Sequence, residues 1–249
     1  MADTDNILTK SAHRPWPLPS APWVMFQSWQ RQLFAHWKVP ASTLRALVPQ
    51  PLELDDYHGE TYVGVTPFDL CGLRFRFLPA LPIASNFLEV NVRTYVRYGG
   101  KPGVFFFSLD AASRLAVLGA RATFRLPYFA ANMSITPRGE SIEYRSRRAA
   151  ANAELAVRYR PTSAAVTAQP GSLDHFLIER YALYVVHTNG RVVRGDIHHA
   201  PWRLHPAAAD FELNTLAAAS GIDLPAAAPI LHYSARQDSL LWPPTVASP

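Results

Sequence analysis

The chain predicts a mainly β (α+β) fold: a closed or nearly closed antiparallel barrel with a few short peripheral helices. Short runs with period-two alternation recur along most of its 249 residues. Gly, Asn and Pro turn signals punctuate those runs at frequent intervals, and few stretches carry helical periodicity. Closure removes exposed strand edges, and a barrel of this size can enclose a small-molecule cavity.

Residues 1–22 are polar and then proline-rich, which predicts an extended lead-in. Leu33-Phe-Ala-His-Trp37 reads as the first buried strand. Pro40 to Val48 suits a short helix capped near Ser42 and ended by Pro49 and Pro51. After a turn at His58-Gly59, Tyr62 to Thr66 returns as a strand. Leu88 to Tyr98, a Gly-rich turn and Val104 to Leu109 form the clearest hairpin. Arg121 to Leu126 alternates like a strand, and Ala130 to Ile135 continues beyond Pro127. Ser141 to Arg148 and Glu154 to Arg160 make a second, more polar hairpin. Asp174 to Tyr181 fits a short helix or wide turn. Tyr181 to His187 and Arg191 to His198 flank Asn189-Gly190, a strong two-residue turn signal. Residues 207–219 suit a helix, and the tail from Pro243 reads as loose. No internal repeat or linker divides the chain, so residues 23–242 are expected to form one barrel domain.

About half the residues are apolar (49%) and charge is modest (17%), the balance of a folded globular chain rather than a disordered one. The first residues carry Asp3 and Asp5 and no apolar core, unlike a signal peptide. No stretch approaches the roughly 18 consecutive apolar residues of a membrane span, so no membrane partner is expected. The single Cys71 cannot form an internal disulfide or a cysteine-rich zinc site, and a reducing cytoplasm is the expected location. Arginine far outnumbers lysine; Lys10, Lys38 and Lys101 are the chain's only lysines. Arg145, Arg147, Arg148, Arg158 and Arg160 resemble a basic patch, but no nucleic-acid motif accompanies them. Codon bias and a solvated hairpin explain them as well, and nucleic acid is not the expected partner.

Alternation places Phe87, Glu89, Asn91, Arg93 and Tyr95 on one face of their strand and Leu88, Val90, Val92 and Val96 on the other. Glu89 and Arg93 stand about 13–14 Å apart along an ideal strand, too far for direct pairing. Arg121, Thr123 and Arg125 share a face on the later run. If both faces line one cavity, it holds a carboxylate and several guanidiniums, an anion site with a candidate general base. If they face out, they form ordinary cross-strand pairs. Period two defines the faces but not which one is inside. His198, His199 and His205 lack metal-ligand spacing, because neighbouring strand residues point to opposite faces. No phosphate loop, nucleophile elbow or cofactor motif is present, so neither a cofactor nor a metal is expected.

Several blocks carry a family resemblance. They are Phe34-Ala-His-Trp37, Leu44 through Asp55, Phe87 through Val96, Arg121 through Tyr128, Phe176 through Tyr181, and His199-Ala-Pro-Trp202. The chain resembles the YqjF-like uncharacterised family (DUF2071), within the acetoacetate decarboxylase-like superfamily, over roughly residues 14–205. The resemblance implies that superfamily's barrel and pocket. In the decarboxylases a proline precedes two lysines, one forming a Schiff base and the other depressing its pKa. Here Pro127 precedes Tyr128 and Phe129. A phenol forms no imine with a ketone, and none of the three lysines offers a substitute, which argues against imine-forming decarboxylation. The resemblance also places the substrate-site arginine near Gln30, beside Arg31. One site glutamate falls on Glu89, and the other is lost at Val63.

The resulting expectation is a small-molecule-binding barrel for a small organic acid, keto or aromatic. Glu89, Asn91, Arg93, Arg121 and Tyr128 would be its polar lining, with Phe87, Phe124 and Pro127 as walls. Tyr128 reads either as a hydrogen-bond donor to a developing oxyanion or as a packing aromatic after a strand. Two further classes stand beside this one. One is a non-imine lyase- or isomerase-type enzyme with Glu89 as general acid/base; the other is a basic interaction module. A homo-oligomer is left open.

Overall fold

The computed structural model describes residues 4–81, 84–123, 125–148 and 151–248. In chain order the first strands are β1 (Met25–Lys38), β2 (Glu53–Leu54), β3 (Tyr62–Phe75), β4 (Phe87–Tyr98) and β5 (Lys101–Ala111). A polar set follows: β6 (Tyr128–Arg138), β7 (Ser141–Arg148) and β8 (Glu154–Pro161). The last are β9 (Ala182–Val186), β10 (Val192–His199), β11 (His205–Asn214), β12 (Ile230–Leu241) and β13 (Thr245–Val246). Helices α1 (Thr4–Thr9), α2 (Ala41–Leu47), α3 (Arg114–Thr123) and α4 (Leu173–Ile178) are short, and Ala218–Ser220 is a single 3-10 turn.

Strand pairing closes on itself twice. One ring runs β1, β3, β4, β5, β9, β10, β12 and back to β1. The other shares β12, β1, β3, β4 and β5 but returns through β6, β7, β8 and β11. The shared wall is therefore buried on both faces. On one side Leu33, Ala35, Val63, Val65, Val90 and Val92 pack against Ile142, Tyr144, Val157 and Tyr159 and fill the larger ring. On the other, Phe34, Tyr95, Phe106, Leu109 and Trp202 belong to a second core within the smaller ring. The barrel is not wholly antiparallel: β5 pairs in parallel with β6 and with β9.

That parallel step explains the first departure from sequence expectation. The run from Arg121 to Leu126 is not a strand; it holds the end of α3 and the approach to β6. Joining parallel neighbours requires a crossover of a dozen or more residues, usually helical, and the Ala-rich segment 112–127 supplies it. Conversely, residues 207–219 form no α-helix, and only Ala218–Ser220 takes a 3-10 turn. Residues 207–214 extend β11, with Ala207, Ala209 and Phe211 turned toward the core and Ala208, Asp210 and Glu212 outward. Period two and pairing to β8 override alanine's helix propensity there.

The lead-in is not extended throughout. α1 docks Ile7, whose carbonyl accepts from His198 Nε2 at 2.8 Å, and Arg14 donates to Ile197 O at 2.5 Å. The tail is likewise tied by β13, which pairs with β10. Helix α2 forms where expected, but Pro40 occupies its N-cap and no side chain caps it. Gly99 and Gly100, both at positive φ (55° and 71°), make the tight β4–β5 turn that only glycine adopts freely.

Candidate functional site

The smaller ring encloses a cavity of about 280 Å³. All seven of its strands contribute to the lining, including Trp29 from β1, Phe68 from β3, Leu109 from β5, Leu183 from β9 and Ile197 from β10. From β4, Phe87, Glu89, Asn91 and Arg93 all line it, so the polar face of that strand is the inward one. Phe75 and Leu115 line the cavity and are also 49% and 58% exposed, which places the opening between the end of β3 and α3.

Glu89 is fully enclosed, and burial pushes its carboxyl up to about 8 against the opposing hydrogen bonds from Tyr128 and Asn91. At neutral pH it is therefore mostly protonated. Tyr128 donates to its Oε2 at 3.1 Å, and burial beside Glu89 holds that phenol well above its ordinary range. A neutral carboxyl retains one O–H to give. The strand beneath is fixed, since Tyr144 donates to Glu89 O at 2.8 Å and Thr66 to Asn91 Oδ1.

Arg93 differs in kind. Its guanidinium lies 5.6 Å from the Phe34 ring and 5.9 Å from Tyr95, and Nη2 donates to Leu177 O at 3.4 Å. Its buried Nε has no hydrogen-bond partner, and among the described residues no carboxylate lies in ion-pair range. Gly64 makes room for it: a Cβ there would stand 3.0 Å from the His36 ring and 3.5 Å from Arg93 Cγ. His36 in turn contacts Tyr95 Oη at 2.7 Å, and burial next to Arg93 pushes its imidazole well below its usual value. Arg180, also in the lining, is neutralised by Asp55 at 2.5 Å. Trp29 stacked on Trp202, with centroids 5.8 Å apart, supplies a flat apolar wall.

Not every expected residue joins this group. Arg121 is exposed on α3, where it donates to Tyr128 O at 2.7 Å and stacks near Phe129. It steadies the chain beside Tyr128 but is not part of the lining, because the segment is a helix. Pro127 is behind the lining, its carbonyl accepting from Leu109 N at 3.0 Å. Phe124 lies outside the described residues. Arg31 pairs with Asp69, away from the cavity, while Gln32 lines it.

Sequence reasoning missed the Arg148–Asp110 pair, with contacts at 2.7 and 3.1 Å, buried between β7 and β5. Arg148 lies 3.9 Å over Phe129, so adjacent residues of β6 divide their work: Tyr128 faces the cavity and Phe129 faces this ion pair. Neither Asp110 nor Arg148 has a local pattern that announces a partner 38 residues away. Of the arginine-rich hairpin, Arg145 pairs with Glu143 and Glu212, Arg147 with Glu154, and Arg148 is buried. Arg158 and Arg160 stay exposed. The three histidines diverge: His198 holds α1, His199 faces the cavity, and His205 contacts Ser163 O. Glu179 accepts from Trp202 N at 2.8 Å and from Tyr181, locking the segment after β10 to the ring.

A closed double-ring barrel with this pocket defines an acetoacetate decarboxylase-like fold. It superimposes on acetoacetate decarboxylase from Legionella pneumophila with a TM-score of 0.62 at 15% identity, covering 97% of this chain and 95% of that one. An acetoacetate decarboxylase-like enzyme from Sphingomonas wittichii RW1 gives 0.62 at 13% identity, over 95% and 98%. The enduracididine biosynthesis enzyme MppR, solved with pyruvate, gives 0.61 at 11%, over 94% and 93%. Identities this low establish the fold alone. The chain itself belongs to the DUF2071 family of uncharacterized conserved proteins, whose model matches residues 26–238. It is 51% identical over 227 residues to the uncharacterized protein YqjF of Bacillus subtilis (strain 168), covering 91% of this chain and 93% of that protein.

Proposed function

We propose that this protein binds a small organic acid, keto or aromatic, in the smaller ring, and does so without a Schiff base. The observation that carries the reading is the half-buried Arg93, its Nε unpartnered and no carboxylate in ion-pair range among the described residues, at one end of a largely apolar cavity. With Glu89 neutral, the two groups on β4 present one positive charge and one hydrogen-bond donor. A carboxylate on Arg93 would satisfy its unpartnered Nε through a charge-assisted hydrogen bond. The ligand body would lie along Trp29, Trp202 and Phe106, and its far oxygen would meet Glu89 and Tyr128. None of the three lysines lines the cavity: Lys38 pairs with Glu60, Lys101 lies 5.9 Å from the Trp16 ring, and Lys10 is exposed near the N-terminus. The unpaired Cys71 fits action in a reducing cytoplasm.

The test is a thermal-shift screen of keto, hydroxy and aromatic acids against wild type and Arg93→Met. A ligand at about a hundred times its Kd adds roughly 2.7 kcal/mol, or about 5–10 °C for a domain of this size. A shift lost in Arg93→Met supports the reading. A hit that survives it, or no hit across a broad panel, counts against it.

The protonation of Glu89 favours a second reading, in which the same site turns its ligand over. A carboxyl pushed up to about 8 is poised to give and take a proton near neutral pH. Glu89 would protonate a ligand carbonyl or enolate while Arg93 holds the carboxylate and Tyr128 donates to the developing oxyanion. Turnover abolished in Glu89→Gln with binding retained supports this role; unchanged turnover removes it.

A further inference from the structure

We infer that the mouth of the cavity is a docking surface for an anionic lipid bilayer. Among the described residues, ten large apolar side chains are exposed, and six of them come from just two segments, 75–81 and 115–118. Those segments are the end of β3 with the loop after it and the first turns of α3, and both also line the cavity through Phe75, Ala84, Leu115 and Ala116. Phe77 is 90% exposed and stands at a positive φ of 68°, uncommon for a bulky side chain. An apolar cluster gathered at an opening, on a protein that otherwise exposes large apolar groups singly, marks an interaction surface.

Charge selects the occupant. Residues 72–86 and 112–126 contain five arginines, Arg74, Arg76, Arg114, Arg121 and Arg125, and no Asp or Glu. None of the five has a carboxylate in ion-pair range among the described residues. Arg76 lies 4.9 Å from the Phe77 ring, so its cation sits directly behind the most exposed apolar group. Guanidiniums carried on the same two segments as the apolar side chains match a bilayer surface, where phosphates meet the cations and acyl chains meet the apolar tips. A second copy of the chain fits less well, since a two-fold contact sets the same patch against itself and opposes like charges. Among the described residues no helix is long and apolar enough to span a membrane; the contact is peripheral, and it would let a lipophilic acid pass between bilayer and cavity without crossing water.

The experiment is co-sedimentation of the full chain with phosphatidylcholine vesicles, with and without phosphatidylglycerol, at low and high salt. Two variants are compared: Phe77→Ser with Leu118→Ser, and Arg76→Gln with Arg114→Gln and Arg125→Gln. All five side chains lie outside the cavity lining, and unchanged circular dichroism and melting confirm the fold. Association with phosphatidylglycerol vesicles, weakened by salt and about tenfold or more by each variant set, supports the inference. No association at low salt overturns it. So does sedimentation velocity showing a wild-type dimer that the Phe77→Ser, Leu118→Ser pair disperses, which would assign the patch to a second copy. Arg93→Met separates this from the ligand reading: it should abolish the acid-induced thermal shift and leave vesicle binding intact.

Discussion

Glu89 and Arg93 are on one face of one strand, yet only the carboxyl gives up its charge there. Glu89 relinquishes its charge because burial disfavours it and, among the described residues, nothing cationic pairs with it, whereas a guanidinium cannot be neutralised by proton loss in the accessible pH range. The sign of the resulting pH dependence is fixed. The folded-state pKa of Glu89 is raised to about 8, so its contribution is intact at acid pH. It is lost as pH rises from the ordinary carboxylate value toward 8, by about 1.4 kcal/mol per pH unit. Wild type should therefore lose stability relative to Glu89→Gln between pH 5 and 8, measured by urea unfolding at several pH values; parallel curves would contradict the assignment. Gly64→Ala should loosen the other end of the cavity by displacing His36 and Arg93. Weaker acid binding with little change in melting temperature is expected by calorimetry.

At the scale of elements, the site depends on two attachments that lie outside its polar lining. The Arg148–Asp110 pair joins β7 to β5 and backs Phe129, so it fixes β6 and with it the Tyr128 hydroxyl. Arg148→Met leaves Asp110 buried and alone and should cost about 3–5 kcal/mol. Adding Asp110→Leu should restore much of it, a coupling that a double-mutant cycle in denaturant reads directly. Helix α4 covers the Arg93 end through Leu177 O, and Ser172 caps it by accepting from His175 N at 3.2 Å. Ser172→Ala should cost about 1 kcal/mol in urea unfolding. The hairpins around Gly99-Gly100 and Asn189-Gly190 were legible because turn chemistry and alternation are local. The crossover helix α3 and strand β11 were not, because strand partners across the chain decided both. Ala207 to Leu213 has helical composition, but its neighbour β8 offers a strand edge.

For the whole molecule, stability should peak between two titrations of opposite sign. Burial lowers the pKa values of His36, His198 and His199 below the usual 6.5. Their stabilisation is present above that value and is lost as pH falls through the folded pKa values, while Glu89 removes stability as pH rises from the ordinary carboxylate range to about 8, alone above 6.5. Melting temperature against pH should therefore show a maximum near neutrality, and a flat profile from pH 4 to 9 would contradict it. Read without a structure, the chain shows its β class, most of its run of strands, the shared face of Phe87, Glu89, Asn91 and Arg93, and the absence of lysine at the imine position. Those features live in composition, period-two alternation and residue identity, which need no partner. Which face of β4 lines the smaller ring, that two rings share one doubly buried wall, that Arg121 belongs to a helix at the rim, and that Arg148 answers Asp110 came only with the three-dimensional fold. Each of these depends on which strands meet across long stretches of chain. Burial by those strands makes Glu89 neutral at neutral pH.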